Sequence, residues 1–117
     1  MHEAASEAIR AELGPGERIL AEGPAAVWPE VNLALTTERL VWAMTDMPEA
    51  GAPSMRFDQI VRHTDDGSRV ELSERDPEYA GTDPSNPYGE TDAVFVFGSH
   101  EDDLRKEMAR RITEAKT

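Results

Sequence analysis

Leu33-Ala34-Leu35-Thr36-Thr37-Glu38-Arg39-Leu40-Val41-Trp42 is the stretch whose reading decides the fold. Val31, Leu33 and Leu35 alternate with Asn32, Ala34 and Thr36, and Leu40, Trp42 and Met44 alternate with Val41 and Ala43. A period of two in both runs is the mark of half-buried strands. Thr36 to Arg39 is a tight turn between them, so the two runs form a hairpin. Toward the N-terminus, Ala26-Val27-Trp28 begins the first of these strands, with Pro29 marking an edge or a bulge. Before it, Arg18-Ile19-Leu20-Ala21 reads as a short strand stopped by Gly23-Pro24. Further back the period lengthens. Ala5, Ile9 and Leu13 recur every four residues with Ala8 beside them, which predicts a helix over 3–13, ended by Gly14-Pro15-Gly16.

Toward the C-terminus, residues 46–53 form a loop with two prolines and a glycine. Met55 and Phe57 lead a fourth strand and Ile60 to His63 a fifth. Asp65-Asp66-Gly67-Ser68 makes a turn in which Gly supplies the positive φ. Val70 and Leu72 belong to a sixth strand, and Ala93 to Phe97 to a seventh. Residues 73–91 interrupt the rhythm with three prolines, two glycines and both tyrosines of the chain. That is far longer than the roughly 2–5 residues of a hairpin loop. Ser99, with Asp102 three residues on, is placed to cap a last helix over 99–115. Leu104, Met108 and Ile112 fall on one stripe of it, and Glu101–Arg105 and Glu107–Arg111 are i,i+4 pairs.

The chain has 117 residues, 24 acidic and 12 basic, for a net charge of −12. At a typical domain size of roughly 100–150 residues, residues 1–117 are one domain. Without a single Cys there is neither a disulfide framework nor a Cys-ligated metal site. A pI near 4.5 excludes direct nucleic-acid binding and docking on an anionic membrane, both of which need clustered cations. The N-terminal residues hold no apolar signal segment, and the longest apolar run, Ala93 to Phe97, falls far short of the roughly 20 residues of a membrane span. A cytoplasmic location is the expectation.

Three stretches together resemble a known pattern: Gly16-Glu17-Arg18-Ile19-Leu20, Leu33 to Val41, and Met55-Arg56-Phe57-Asp58-Gln59-Ile60. In spacing they are similar to the bacterial pleckstrin-homology (PH) or GRAM-like domains, and the resemblance spans roughly residues 14–115. It implies a mainly β fold of the α+β class: a strongly bent, seven-stranded antiparallel barrel, capped at one end by the C-terminal helix, with the N-terminal helix as an addition. It also implies that Leu104, Met108 and Ile112 plug the barrel. Domains of this type that bind phosphoinositides clamp phosphate with Lys and Arg from their early strands. Between Ile19 and Met44 this chain carries only Arg39 against Glu22, Glu30 and Glu38, so phosphoinositide binding is not expected.

The remaining candidates are weighed by chemistry. Arg39 is read as structural, its fork on a carboxylate or on turn carbonyls, and Trp42 as a core residue. Glu71 to Asp103 holds ten acidic residues and one basic, a net −9 of the chain's −12. Within this segment Tyr79 and Tyr88 are amphipathic anchors and Asp83 and Glu90 acidic contacts for a partner that is basic. Trp28, beside Pro29, is a further anchor. Asp83, Asn86, Glu90 and Asp92 are oxygen donors but do not follow a calcium-loop order. His100 with Glu101, Asp102 and Asp103 is a donor cluster that a helix N-terminus explains by its dipole alone. Ser68, His63 and Asp66 spell a triad only as any polar turn does. No catalytic residue, metal or cofactor is assigned. The expectation is a non-catalytic interaction or assembly module that binds a protein or peptide partner, with a homo-oligomer as the other form of the same idea. The alternatives are an acidic decoy occupying a basic nucleic-acid-binding surface and a small hydrolase-type enzyme.

Overall fold

The alternation around residue 36 becomes a ladder in space. Strand β2 (Glu30–Thr36) and strand β3 (Arg39–Met44) run antiparallel, with Val31 opposite Met44 and Leu35 opposite Leu40. The structure is a computed structural model, and it describes residues 3–26, 30–75 and 89–115. Around the hairpin stand helix α1 (Glu3–Glu12), β1 (Ile19–Ala26), β4 (Ser54–Arg56), β5 (Ile60–Asp65), β6 (Arg69–Arg75), β7 (Glu90–Val96) and helix α2 (Asp102–Ala115). The loop between β3 and β4 contains one 3-10 turn at Pro48–Ala50, and another at Phe57–Gln59 joins β4 to β5.

The strands follow the order β4-β3-β2-β1-β7-β6-β5, all antiparallel. Among the described residues one pair, Ala26 with Val96, joins β1 to β7. The result is two antiparallel sheets, of four and three strands, facing one another across a shared core. Inward residues of period two fill it: Val31, Leu33 and Leu35 from β2, Leu40 from β3, Val70 and Leu72 from β6, and Phe95 from β7. Helix α2 adds Leu104, Met108 and Ile112, spaced so that all three lie on one face and are buried among the strands.

Both faces of β2 and β3 are covered. On the outer face Ala5 and Ile9 of α1 pack on Ala34, Val41 and Ala43. The alanines on both sides let the helix approach closely, and Ile9 is fully buried. Burial of a side chain this size contributes about 1.5–3 kcal/mol.

Several expectations are corrected. The seven strands do not close into a barrel. Between β4 and β5 the chain turns through Phe57–Gln59, which sends Phe57 into the core and breaks the extended conformation a ladder needs. That seam is held by a side chain instead: the Arg56 N–H donates to the Glu74 carboxylate at 2.7 Å. Gly23-Pro24 does not stop β1, which runs through both residues with Pro24 opposite Asn32. Among the described residues β1 is paired here with β2 alone, which makes it the edge-like position where a proline is tolerated. Ser99 makes no capping bond; it opens a 3-10 turn closed by the Glu101 N–H on the Gly98 carbonyl. Helix α2 starts at Asp102, one turn later than the sequence suggested. Arg105 turns from Glu101 to Asp65 of β5 at 2.7 Å, because the tertiary neighbour is better placed than the helical one. The Arg111–Glu107 pair forms at 3.0 Å.

The turn at Asp66–Ser68 shows why the local sequence reading works where it does. Gly67 sits at φ 104°, and the Asp66 carboxylate accepts the Ser68 and Arg69 N–H groups. All of these partners lie within three residues of one another.

Candidate functional site

Two concavities separate by chemistry. The first is polar, about 500 Å³, and is lined by Glu12, Glu17, Glu38, Arg39, Arg56 and Glu74 among others. Its floor is a lock built from the motif residues themselves. Arg39, at the start of β3, donates to both oxygens of Glu17, from Nε at 2.9 Å and from Nη2 at 3.0 Å. Its other donors reach the Glu12 carbonyl at 2.7 Å and the Ser54 hydroxyl at 3.1 Å. The Thr36 hydroxyl donates to Glu17 at 2.7 Å and accepts the Glu38 and Arg39 N–H groups, which shapes the hairpin turn. The Gly14 N–H completes the shell of Glu17 at 2.9 Å.

The Glu17 side chain is only 3% exposed and that of Arg39 19%. The bonds from Arg39, followed by those from Thr36 and Gly14, outweigh desolvation and hold the Glu17 carboxyl down at about 2. Arg39 is driven in the opposite direction by the same carboxylate. With four of its five N–H groups engaged, Arg39 has little capacity left for a phosphate. Chemically this cleft is a clasp that ties the end of α1 and the start of β1 to the β2–β3 turn.

The second concavity is apolar, about 380 Å³, and lies where the sheets part. Val31 of β2 and Trp42 and Met44 of β3 form one wall; Asp92 to Phe95 of β7 form the other. Trp42 and Phe95 meet edge to face, with centroids 5.2 Å apart and planes at 80°, an arrangement aromatic rings favour. Trp42, Met44, Ala93 and Val94 are half-buried, so apolar surface remains within reach of solvent. Asp92 supplies the polar rim; it accepts the Ser73 hydroxyl at 2.6 Å and faces Arg62 at 3.7 Å.

The residues named from sequence distribute unevenly. Trp28, Tyr79, Asp83 and Tyr88 lie outside the described residues, as does Asn86 of the calcium reading. Glu90 opens β7 and pairs with Arg75 across the ladder at 2.7 Å, two positions from Asp92 on the same strand. Trp42 belongs to the wall of the apolar groove as well as to the core's edge. Leu104, Met108 and Ile112 are buried. Among the described residues no three of His, Asp and Glu gather so that they could hold a metal ion, and no helix is long and apolar enough to cross a membrane. Asp66 spends its carboxylate on the turn's own N–H groups, with the Ser68 hydroxyl at 3.4 Å.

Sequence reasoning missed both pairings that matter. Glu17 was seen as part of a motif but not as the partner of Arg39, 22 residues away. The sequence reads Trp42 as core, and Met44, Ala93 and Phe95 only as strand residues, with no sign that a groove lies between them. Equal parity along each strand puts these residues on inward faces; whether two such faces meet or part is a tertiary matter. No protein-family model matches this chain, and neither a curated protein nor a solved structure matches it.

Proposed function

We propose that this chain is a non-catalytic protein-interaction module of PH-like architecture, working by binding a protein or peptide partner. The observation that carries this reading is the apolar groove lined by Val31, Trp42, Met44, Ala93 and Phe95, through which half-buried apolar surface stays within reach of solvent. A half-buried tryptophan packed on a buried phenylalanine, beside an acidic rim, is the kind of surface that anchors a partner. The PH-like reading is supported by the element order, by the division into four and three strands, and by the terminal helix that buries its apolar stripe in the core. It is supported too by Glu17, Thr36 and Arg39, three positions of the resembling motifs that bond to one another.

Light scattering coupled to size exclusion, followed by selection from a displayed library of random short peptides, tests the proposal. A monomer that selects a peptide family supports partner binding, and a discrete oligomer supports the assembly form of the reading. A monomer that selects nothing, yet hydrolyses one of a panel of ester and phosphoester substrates, overturns it.

A further inference from the structure

Strand β7 is unequally paired. Along its whole length, from Glu90 to Val96, it is matched to β6. On its other side, among the described residues, it meets β1 only at Ala26–Val96. In a strand, alternate N–H and C=O groups point to opposite sides. Those of Thr91 to Phe95 that point away from β6 therefore have no strand partner among the described residues. An edge in this condition is a template for another extended chain. The apolar groove lies directly beside it.

We propose that the Thr91–Phe95 edge of β7 takes up an extended peptide as an added strand, with an apolar side chain of that peptide seated in the groove and basic residues flanking it. This rests on the interaction-module reading above and names the surface and the partner's chemistry. Side chains of an added strand alternate in direction, so those of one parity enter the groove against Trp42 and Phe95 while the others stay in solvent. Charge selects the partner. Asp92 lies on the groove wall and Glu90 two positions before it, each facing an arginine of the chain, Arg62 at 3.7 Å and Arg75 at 2.7 Å. Glu30 and Asp46 neighbour Val31 and Met44 of the far wall in sequence, where the Thr45 N–H reaches the Glu30 carbonyl, so four carboxylates to two arginines keep the rim acidic. A second copy of this chain would bring another −12 to the same place, so a basic foreign segment is the better complement. The cleft by β5 is lined by Thr64, Asp65, Asp66, Arg69 and Glu71 and offers no aromatic or aliphatic side chain as an anchor.

The test starts from peptides selected out of a displayed random library, each then made synthetically with a fluorophore. The expected peptides carry a bulky apolar residue between Lys or Arg. Methylating alternate backbone nitrogens of the peptide should weaken binding by roughly tenfold or more, since it removes strand hydrogen bonds and no side chain. Added salt should weaken binding as well. In NMR spectra of the isotope-labelled full chain, the peptide should shift Thr91 to Phe95, the Trp42 indole and the Met44 methyl. Ala93→Trp, checked for folding by circular dichroism, should block binding by filling the groove.

Binding that maps to β4, β5 or the Arg39 cleft, or that ignores methylation on both parities, overturns the β7 assignment while the interaction module stands. A dimer broken by Ala93→Trp gives the edge to a second copy and also overturns the proposal. Failure to select any peptide from the library overturns the β7 assignment; the interaction module then stands only as a discrete oligomer, and falls with it if the chain is a monomer that hydrolyses one of the ester or phosphoester substrates.

Discussion

Glu17 and Arg39 make a little-exposed, bidentate linkage that is electrostatic rather than apolar. Removing one partner leaves the other charge little exposed and poorly satisfied, which is costlier than never having built the pair. Glu17→Gln should therefore destabilise the fold by about 2–3 kcal/mol, measured by urea unfolding near neutral pH. Arg39→Lys should also destabilise, because an ammonium cannot fork onto both carboxylate oxygens and still reach Ser54 and the Glu12 carbonyl. The pH dependence has a definite sign. The folded-state value of about 2 lies below the ordinary carboxyl value of 4.5, so the linkage contributes fully above about pH 5 and is lost as pH falls toward 2. The stability gap between the wild type and Glu17→Gln should shrink across that interval; a gap that stays constant would deny Glu17 this role. The turn chemistry of Thr36 was legible from the letters alone, since its partners are two and three residues away. The partner of Arg39 was not, because nothing in residues 36–41 distinguishes Glu17 from twenty-three other carboxylates.

At the scale of elements, the two helices cover different surfaces, and each can be tested through its deepest side chain. Met108 is fully buried between the sheets, so Met108→Ala should cost about 2–5 kcal/mol through the cavity it leaves. The seat of α2 on β1 depends on Gly23, where an added Cβ would lie 3.1 Å from the Leu104 side chain and 3.2 Å from the Glu101 carboxylate. Gly23→Val should push α2 outward and lower stability by about 1–3 kcal/mol, seen as a reduced thermal midpoint; an unchanged midpoint would mean that Leu104 yields without loss. Strand and helix identities were readable here because their periods, two and about four, are local. The ends were less so. β1 passes through Gly23-Pro24 where, among the described residues, no strand lies on its far side, and α2 starts late because residues 99–101 tighten into a 3-10 turn.

Across the whole molecule the charge balance sets the solution behaviour. Many carboxylates are held by the chain's own arginines: Glu107 by Arg110 and Arg111, Asp65 by Arg105, Glu17 by Arg39. Such pairs leave a decoy surface fewer free anions than the composition suggests. The excess of −12 remains and repels itself in a body with a radius of gyration of 13.9 Å. The exposed pairs contribute little each, so screening the net repulsion should dominate. Raising salt from very low levels to about 0.2 M should raise the thermal midpoint. A midpoint that falls with salt would show that the local pairs outweigh the global repulsion.

The sequence by itself determined the mainly β class, the central hairpin, the positions of both helices, the buried stripe of α2 and the acidic character of the surface. Each follows from periodicity, turn chemistry or simple counting, which act over a few residues or need no geometry. Only the tertiary structure decided that β4 and β5 do not pair to close a barrel, that Glu17 clasps Arg39, and that Trp42 and Phe95 border an open groove. These depend on how two twisted sheets pack across one core. Parity along a strand assigns a side chain to a face, but it carries no information on what that face will meet.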